Sequence, residues 1–440
     1  MGLLIGVGNT KPTFPYDYYY GIEWDSNVAN SACTRIGRSE LHVSLPIQSR
    51  MRRCLLADDG AVVTYLHAND TTKTDTGATA NLTGTNGQVM VEIPAHYRKF
   101  EVEGTLFRCL ISEHALPGFT YVPLSYRSAY EVAIDRTVAA TPKLCSVVNA
   151  TEAFRGGNNT VAWDGTYRTL LGRPATAISL TNFRNYARNR GNAGKNNKGW
   201  NCDVYEIQKT CYWLYAIEYA NFNCQLTYNA QPDANGYKQG GLGDGVTNMS
   251  DWGGFNGYNP LVPCGQTNSL GNKSGVVDYT YTKADGTTGQ SLSVPSYRGI
   301  ENPFGHVWSW TDGCKCRIQS DAAGGLSEFY ACDDPANYQD TNYTNYAKRG
   351  ELPRSEGYVK VLMVGEFGEN MPATIGGSSI TYFADYYYTN IPASGEAQRG
   401  VLFGGSAING ALAGFAYAST DNAAANTSTS IGSRLCFLPA

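Results

Sequence analysis

An α+β fold is what this 440-residue sequence predicts, on three observations. Two segments between residues 179 and 223 carry apolar residues at helical spacing. The last third breaks into short strand-like runs. The first 115 residues read as β segments joined by polar turns. The expected architecture is a smaller β-rich N-terminal domain, residues 1–115, ahead of a domain spanning 116–440. The second domain should hold two helices, an antiparallel sheet and long loop inserts.

The elements follow in chain order. "RCLLADDGAVVTYLHAND" reads as a hairpin turning at Asp58-Asp59-Gly60. "QVMVEIP" alternates and stops at Pro94, and "TDTGATANLTGTNG" is a polar loop between the two. Past Leu116, "SYRSAYEVAIDRT" has strand character. "SLTNFRNYARNRG" follows Pro174, with Ser179 or Thr181 as N-cap, Gly191 as stop, and Phe183, Tyr186 and Ala187 on one face. "DVYEIQKTCYWLYAIEYANFN" is the stronger helix. There Val204, Ile207, Cys211, Leu214 and Ile217 recur at i, i+3, i+4, and Asp203 is placed to cap. Gln225 to Ser293 is rich in Gly and Asn and nearly aperiodic. Such long irregular stretches inside a domain are functional or well braced. "FGHVWSWTD", "GYVKVLMVG", "ITYFADYYY", "RGVLFGG", "GFAYA" and "SIGSRLCFL" then supply the strands of a closing sheet. No repeat of fixed period runs through the chain.

Composition narrows the function. Only 16% of residues are charged, against 49 Gly and 31 Tyr, which describes a loop-rich, aromatic-rich globular chain. A net charge of -4 leaves no electrostatic footprint for nucleic acid. From Met371 onward the charges are Asp385, Glu396, Arg399, Asp421 and Arg434 alone, which suits contact with protein or carbohydrate. "MGLLIGVGNTKPTF" lacks a basic start and a full apolar run, so no classical signal peptide is expected. No apolar run reaches membrane-spanning length, so no membrane insertion is expected. The 12 cysteines contain no C-x-x-C and read as free buried thiols.

Motifs of catalysis are missing. The five histidines, His42, His67, His96, His114 and His306, show no metal-ligating spacing, and no G-x-S-x-G occurs. His306, in a strand-like run, reads as structural. Gln231-Pro232-Asp233 matches a calcium and sugar tripeptide, but its partner motif is absent nearby, so a turn is the reading. In "VWSW", Trp308 and Trp310 alternate. Either one of them faces a core, or the pair lines a ligand site.

Five segments in order carry a resemblance. "SAYEVAID", "RPATAISLTNFRNYARNRG" and "IQKTCYWLYAIEYANFN" are similar to an opening strand and two helices. "NPFGHVWSWTDG" resembles a Gly-Asn-Val-Trp-Glu-Trp signature, and "RGVLFGG…IGSRLCF" resembles an Arg-Gly-Gly-Ser … Ile-Gly-Phe-Arg closing element. The series resembles C-type lectin-fold domains of the formylglycine-generating-enzyme type. These include the variable proteins of diversity-generating retroelements. The likeness covers about residues 116–440.

That resemblance implies two branches. The enzymatic branch needs a pair of cysteines near the C-terminus. Here Cys436 stands alone, the next upstream is Cys332, and Cys314 and Cys316 belong to another segment. No catalytic residue, metal or cofactor is therefore expected, and Cys436 reads as buried in a final strand. In the binding branch, error-prone copying at adenines scatters Asn codons into Ser, Thr, Asp, Ile and Leu. The variable region would span about 399–437. Its substituted or retained positions would be Ser406, Ile408, Asn409, Leu412, Ser419, Asp421, Asn422, Ser428 and Ser430. "GG", "GFAYA" and "IGSRLCF" would be fixed scaffold. Phe415 or Tyr417 would anchor a ligand as aromatic residues do in paratopes, and Tyr386, Tyr387 and Tyr388 would rim the same face or pack inward. The expected function is recognition of a changing cell-surface protein or glycan. The expected location is a phage tail or fibre tip, where a trimer is plausible, or a bacterial surface. The alternatives are a formylglycine-generating-type enzyme acting on peptide cysteine and a structural virion component.

Overall fold

The computed structural model describes residues 15–154, 171–191, 199–226, 229–232, 234–239, 248–283 and 287–439. The N-terminal segment examined for export signals, and Asp233 of the Gln231–Asp233 tripeptide, lie outside these residues.

Strand outweighs helix, 38% against 15%, with a nearly closed barrel-like sheet and four helices among the described residues. This corrects the expected α+β C-type lectin fold with two helices. The two expected helices exist, at Leu180–Arg188 and Tyr205–Tyr219. Two more, Ser39–Ser44 and Trp252–Asn256, are too short to show a period, and each ends at a left-handed residue, Leu45 and Gly257. What the sequence under-represents is the amount of sheet. Many strands are only three to five residues long. Runs that short carry little alternation.

Three sheets set the architecture. A five-stranded sheet is built from Tyr20–Asp25, Thr34–Gly37, His96–Glu103, Leu106–Ser112 and Thr120–Val122. A six-stranded sheet runs Gly199–Cys202, Leu435–Leu438, Ser125–Ser128, Gln88–Ile93, Arg52–Leu56, Val62–Tyr65. The last two form the expected hairpin. This sheet draws strands from both sides of residue 115, because Gln88–Ile93 pairs with Ser125–Ser128. The boundary expected there does not separate two sheets. A nine-stranded sheet has at its centre Trp308–Gln319, Glu396–Gly404, Gly414–Thr420 and Tyr386–Thr389, with Ile431–Ser433 parallel to the start of Trp308–Gln319.

Helix Tyr205–Tyr219 lies between sheets, and all its residues but Glu206 are buried. A helix apolar on every side belongs in a core. On one side Trp213 stacks on Trp24 at 5.6 Å. On the other, Tyr205 stacks on Phe403 at 6.0 Å and Tyr215 meets Phe415 at 5.3 Å. Its buried polar side chains are matched. Gln208 donates to the Phe415 carbonyl at 2.7 Å, and Glu218 receives Arg298 at 2.6 Å. Shorter helix Leu180–Arg188 is capped by Ser179, whose hydroxyl accepts the Asn182 N–H. Thr181, the other candidate cap, donates instead to Asp340.

Asp203 does not cap the long helix as expected. Its carboxylate receives Arg127 through two hydrogen bonds of 3.0 and 2.6 Å, with both side chains almost fully buried. A guanidinium fork satisfies both carboxylate oxygens at once, which a helix end cannot do. Asp203 also accepts the Ser309 hydroxyl, and its carbonyl accepts the Asp312 N–H.

The aperiodic insert is braced. Met249, Trp252, Leu261, Val262, Tyr281, Leu292 and Val294 form a small core that also contains Ala407. His306 fixes it. Its Nε2 accepts the N–H groups of Leu261 and Val262 at 3.1 Å each, and its Nδ1 donates to Glu131 at 2.6 Å. With both ring nitrogens engaged, His306 is structural. Among the described residues no helix is long and apolar enough to cross a membrane.

The Arg127–Asp203 pair generates a stability prediction. Arg127→Ala or Asp203→Ala alone should cost about 3–5 kcal/mol, while Arg127→Met with Asp203→Leu should cost clearly less than either. Denaturant unfolding measures this. Single-variant losses under about 1 kcal/mol would show that the pair does not anchor the fold.

Candidate functional site

The strands Tyr386–Thr389, Glu396–Gly404 and Gly414–Thr420 end in two connecting segments, 405–413 and 421–430. Together these form one face. Alternation along the strands decides which side chains reach it. In Tyr386–Thr389, Tyr387 points inward and is fully buried, its hydroxyl 3.0 Å from that of Thr420. Tyr386 is half-buried and Tyr388 is exposed.

A row of rings crosses the face. Tyr358 meets Tyr386 at 5.1 Å, Tyr386 meets Tyr417 at 5.9 Å, and Tyr417 meets Trp308 at 4.5 Å. Successive rings lie edge to face, at 89°, 87° and 64°. This arrangement suits the ring quadrupoles and holds the outer rings still. Trp310, the alternate residue, is fully buried, so "VWSW" serves both of its readings. Burial pushes the Tyr386, Tyr388 and Tyr417 hydroxyls up, with Glu356 or Asp421 adding to the effect. They stay protonated at neutral pH and remain donors.

The expected binding residues divide. Ile408 is 42% exposed, and Asp421, Asn422, Ser428 and Ser430 are half-exposed along the rim. Leu412 is half-buried against the core. Five others are corrections. Ser406 is buried, and both its N–H and its hydroxyl donate to the Asn409 side chain, at 2.7 and 2.9 Å. Asn409 is thereby committed to closing that turn. Ser419 is 3% exposed because it is paired on both edges, with Leu402 and with Tyr388. Phe415 is core, touching Tyr215, Tyr297 and Phe304. Tyr417 is the buried support of the ring row. Tyr387 is the inward member of its strand. The sequence reading missed Tyr358 and Trp308 as members of this row. A strict period-2 reading would have chosen Tyr386 and Tyr388 over Tyr387.

The rim segments have fixed backbones. Gly400 donates to the Asn422 carbonyl, Ala177 to that of Ser428, and Trp308 to that of Ser430. Gln225 donates to the carbonyls of Gly410 and Ala413. The Tyr358 hydroxyl reaches the Ala411 carbonyl at 3.4 Å.

Beneath the face lies Asp385. Its carboxyl accepts the Ala416 N–H at 2.7 Å and has the Cys224 thiol 3.7 Å away. Gly414 passes so close that a Cβ there would overlap this carboxyl. Burial pushes Asp385 up to about 8. Cys436, fully buried in the last strand, has its thiol pushed well up by burial, with Asp203 adding to the effect. All 12 cysteines are free thiols. Among the described residues no group of three His, Cys, Asp or Glu is placed to hold a metal ion. No protein-family model matches the chain, and no curated protein matches it.

Asp385 makes stability depend on pH. In the fold its proton stays on up to about pH 8, whereas an unfolded carboxyl loses it near 3.9. Its contribution is therefore fully present at acid pH, declines as pH rises between those values, and is flat above them. Asp385→Asn keeps an acceptor for Ala416 and should flatten that decline. Unfolding midpoints of both proteins from acid to alkaline pH measure it. Parallel profiles would overturn the assignment.

Proposed function

We propose that this chain is a ligand-recognition protein and that the face around Tyr358, Tyr386, Tyr388 and Trp308 is its binding surface. The observation that carries this reading is the pairing of rigid, partly exposed rings with exchangeable rim side chains. The rings offer large contact area with little rotamer freedom to lose. Ile408, Asp421, Asn422, Ser428 and Ser430 stand on segments whose backbones are held by main-chain hydrogen bonds from the sheet and helix edges. Their side chains can change while the scaffold keeps its shape.

This reading agrees with a variable protein of a diversity-generating retroelement, in which these five positions would be altered. The proposed targets are cell-surface proteins or glycans, met from a phage tail or fibre tip or from a bacterial surface. Two further features favour binding over catalysis. The nitrogens of His306 are spent on backbone and Glu131, and burial keeps the Cys436 thiol protonated.

A displayed library tests the proposal. Varying Ile408, Asp421, Asn422, Ser428 and Ser430 should leave stability within about 0.5 kcal/mol per position and yield binders to unrelated protein targets. Varying Ser406 and Ser419 should instead lose folded protein, at about 1–3 kcal/mol per buried group left unpaired or crowded. Equal intolerance at the two sets, or a folded library without binders, would sink the idea. In the gene's DNA, a near-copy repeat with AAC or AAT at the five rim codons would support the retroelement origin, and its absence would remove that part alone.

A further inference from the structure

Next to the ring row, segment 421–426 bends over the start of strand Glu396–Gly404, held by the hydrogen bond from Gly400 to Asn422. Under it lies a pocket of about 200 Å³, with Ala423, Ala424 and Ala425 on one wall and Lys315, Asp340 and Arg399 on the other. Three alanines in a row keep it open, since any longer side chain there would fill it.

The charges around this pocket do not cancel. Arg184 binds both nearby carboxylates, Asp312 at 2.6 and 2.8 Å and Asp340 at 2.7 and 2.8 Å. Asp340 also accepts the Thr181 hydroxyl, and Asp312 the Gly313 N–H. The two carboxylates are thus saturated by one guanidinium and neutral donors. Lys315 is 4% exposed and donates to two backbone carbonyls, of Gln339 and Asn342, each at 2.6 Å. Those acceptors carry no formal charge. The Arg399 Nε is buried and has no hydrogen-bond partner. Three cations face two carboxylates, which leaves one positive charge.

We infer that this pocket binds a carboxylate, with Arg399 as its principal partner and Lys315 as supporting charge. An unsatisfied buried donor costs about 1–3 kcal/mol, more when charged, and an incoming oxygen removes that cost. A guanidinium matches the two oxygens of a carboxylate in a planar fork. A single negative charge balances the site, whereas a phosphate dianion would overshoot it and meet Asp312 and Asp340. The inference rests on the proposed recognition face, because the pocket opens beside its rim, and it says that the ligand presents an acidic group there.

The test uses the full chain and no recognition partner, so it can fail independently of the library experiment. Acetate, N-acetylglutamate amide and a short peptide with one Glu are titrated while the Arg side-chain Nε–H signals are followed by NMR. The Arg399 signal, identified by its loss in Arg399→Lys, should shift with all three carboxylates and not with N-acetylglutamine amide. Affinity should fall at least about tenfold in Arg399→Gln and in Ala424→Phe, which fills the pocket and leaves Arg399 in place. Tighter binding of the peptide than of acetate assigns the site to an acidic side chain of a partner. Equal binding assigns it to free small carboxylates. No shift at Arg399, equal affinity in Ala424→Phe, or preference for inorganic phosphate would overturn the inference.

Discussion

The ion pair between Arg127 and Asp203 is the contact on which the arrangement of sheets and helix depends. It lies where the six-stranded sheet, the entry to the central helix and the long strand Trp308–Gln319 come together. One carboxylate takes Arg127 and the Ser309 hydroxyl, and the Cys436 thiol lies 3.7 Å from it. A charge this deep tolerates no partial loss of partners, so segments that slipped past one another would strand it. Arg434, next to it, donates to the carbonyls of Glu301 and Asn302 and holds the loop before His306. Arg184 does the same work for Asp312 and Asp340. Buried arginines, each with its acceptors nearly filled, clamp connections that have little apolar content of their own.

The central helix carries this order outward. It is wrapped by aromatic side chains from sheets on both sides, and its Gln208 bridges Asn370 to the Phe415 carbonyl. Strand Gly414–Thr420 is buried along its whole length. A face built on that strand stays still when its rim residues change. The braced insert reinforces the same edge, since Met249 donates to the Ala407 carbonyl and Ala407 to that of His306. Recognition by exchangeable side chains requires such a platform, because a loop that moved would lose its contacts to entropy.

The candidate site was partly legible in the chain. The small polar residues of 421–430 and Ile408 do stand on the rim, and the fixed-looking "GFAYA" and "IGSRLCF" are strands. Ser406 and Ser419 were misjudged because a serine looks the same whether it closes a turn, lies in the middle of a sheet or faces water. Phe415, Tyr417 and Tyr387 were misjudged for the opposite reason. An aromatic residue suits a binding face and a core equally, and only its side of the strand separates the two. The Arg399 pocket was invisible, since its members come from residues 315, 340, 399 and 423–425.

What the sequence determined by itself is local. Helical spacing located Leu180–Arg188 and Tyr205–Tyr219, Asp-Asp-Gly placed a hairpin, and low charge described the closing face. What only tertiary structure decided is how these pieces share a core. The five-stranded and nine-stranded sheets enclose one helix, the six-stranded sheet crosses the expected boundary, and Asp203 leaves its helix end for Arg127. Periodicity reports which residues of one segment lie on one side. It carries no information about which distant segment covers that side, and that choice is made by burial and by the pairing of charges across the chain.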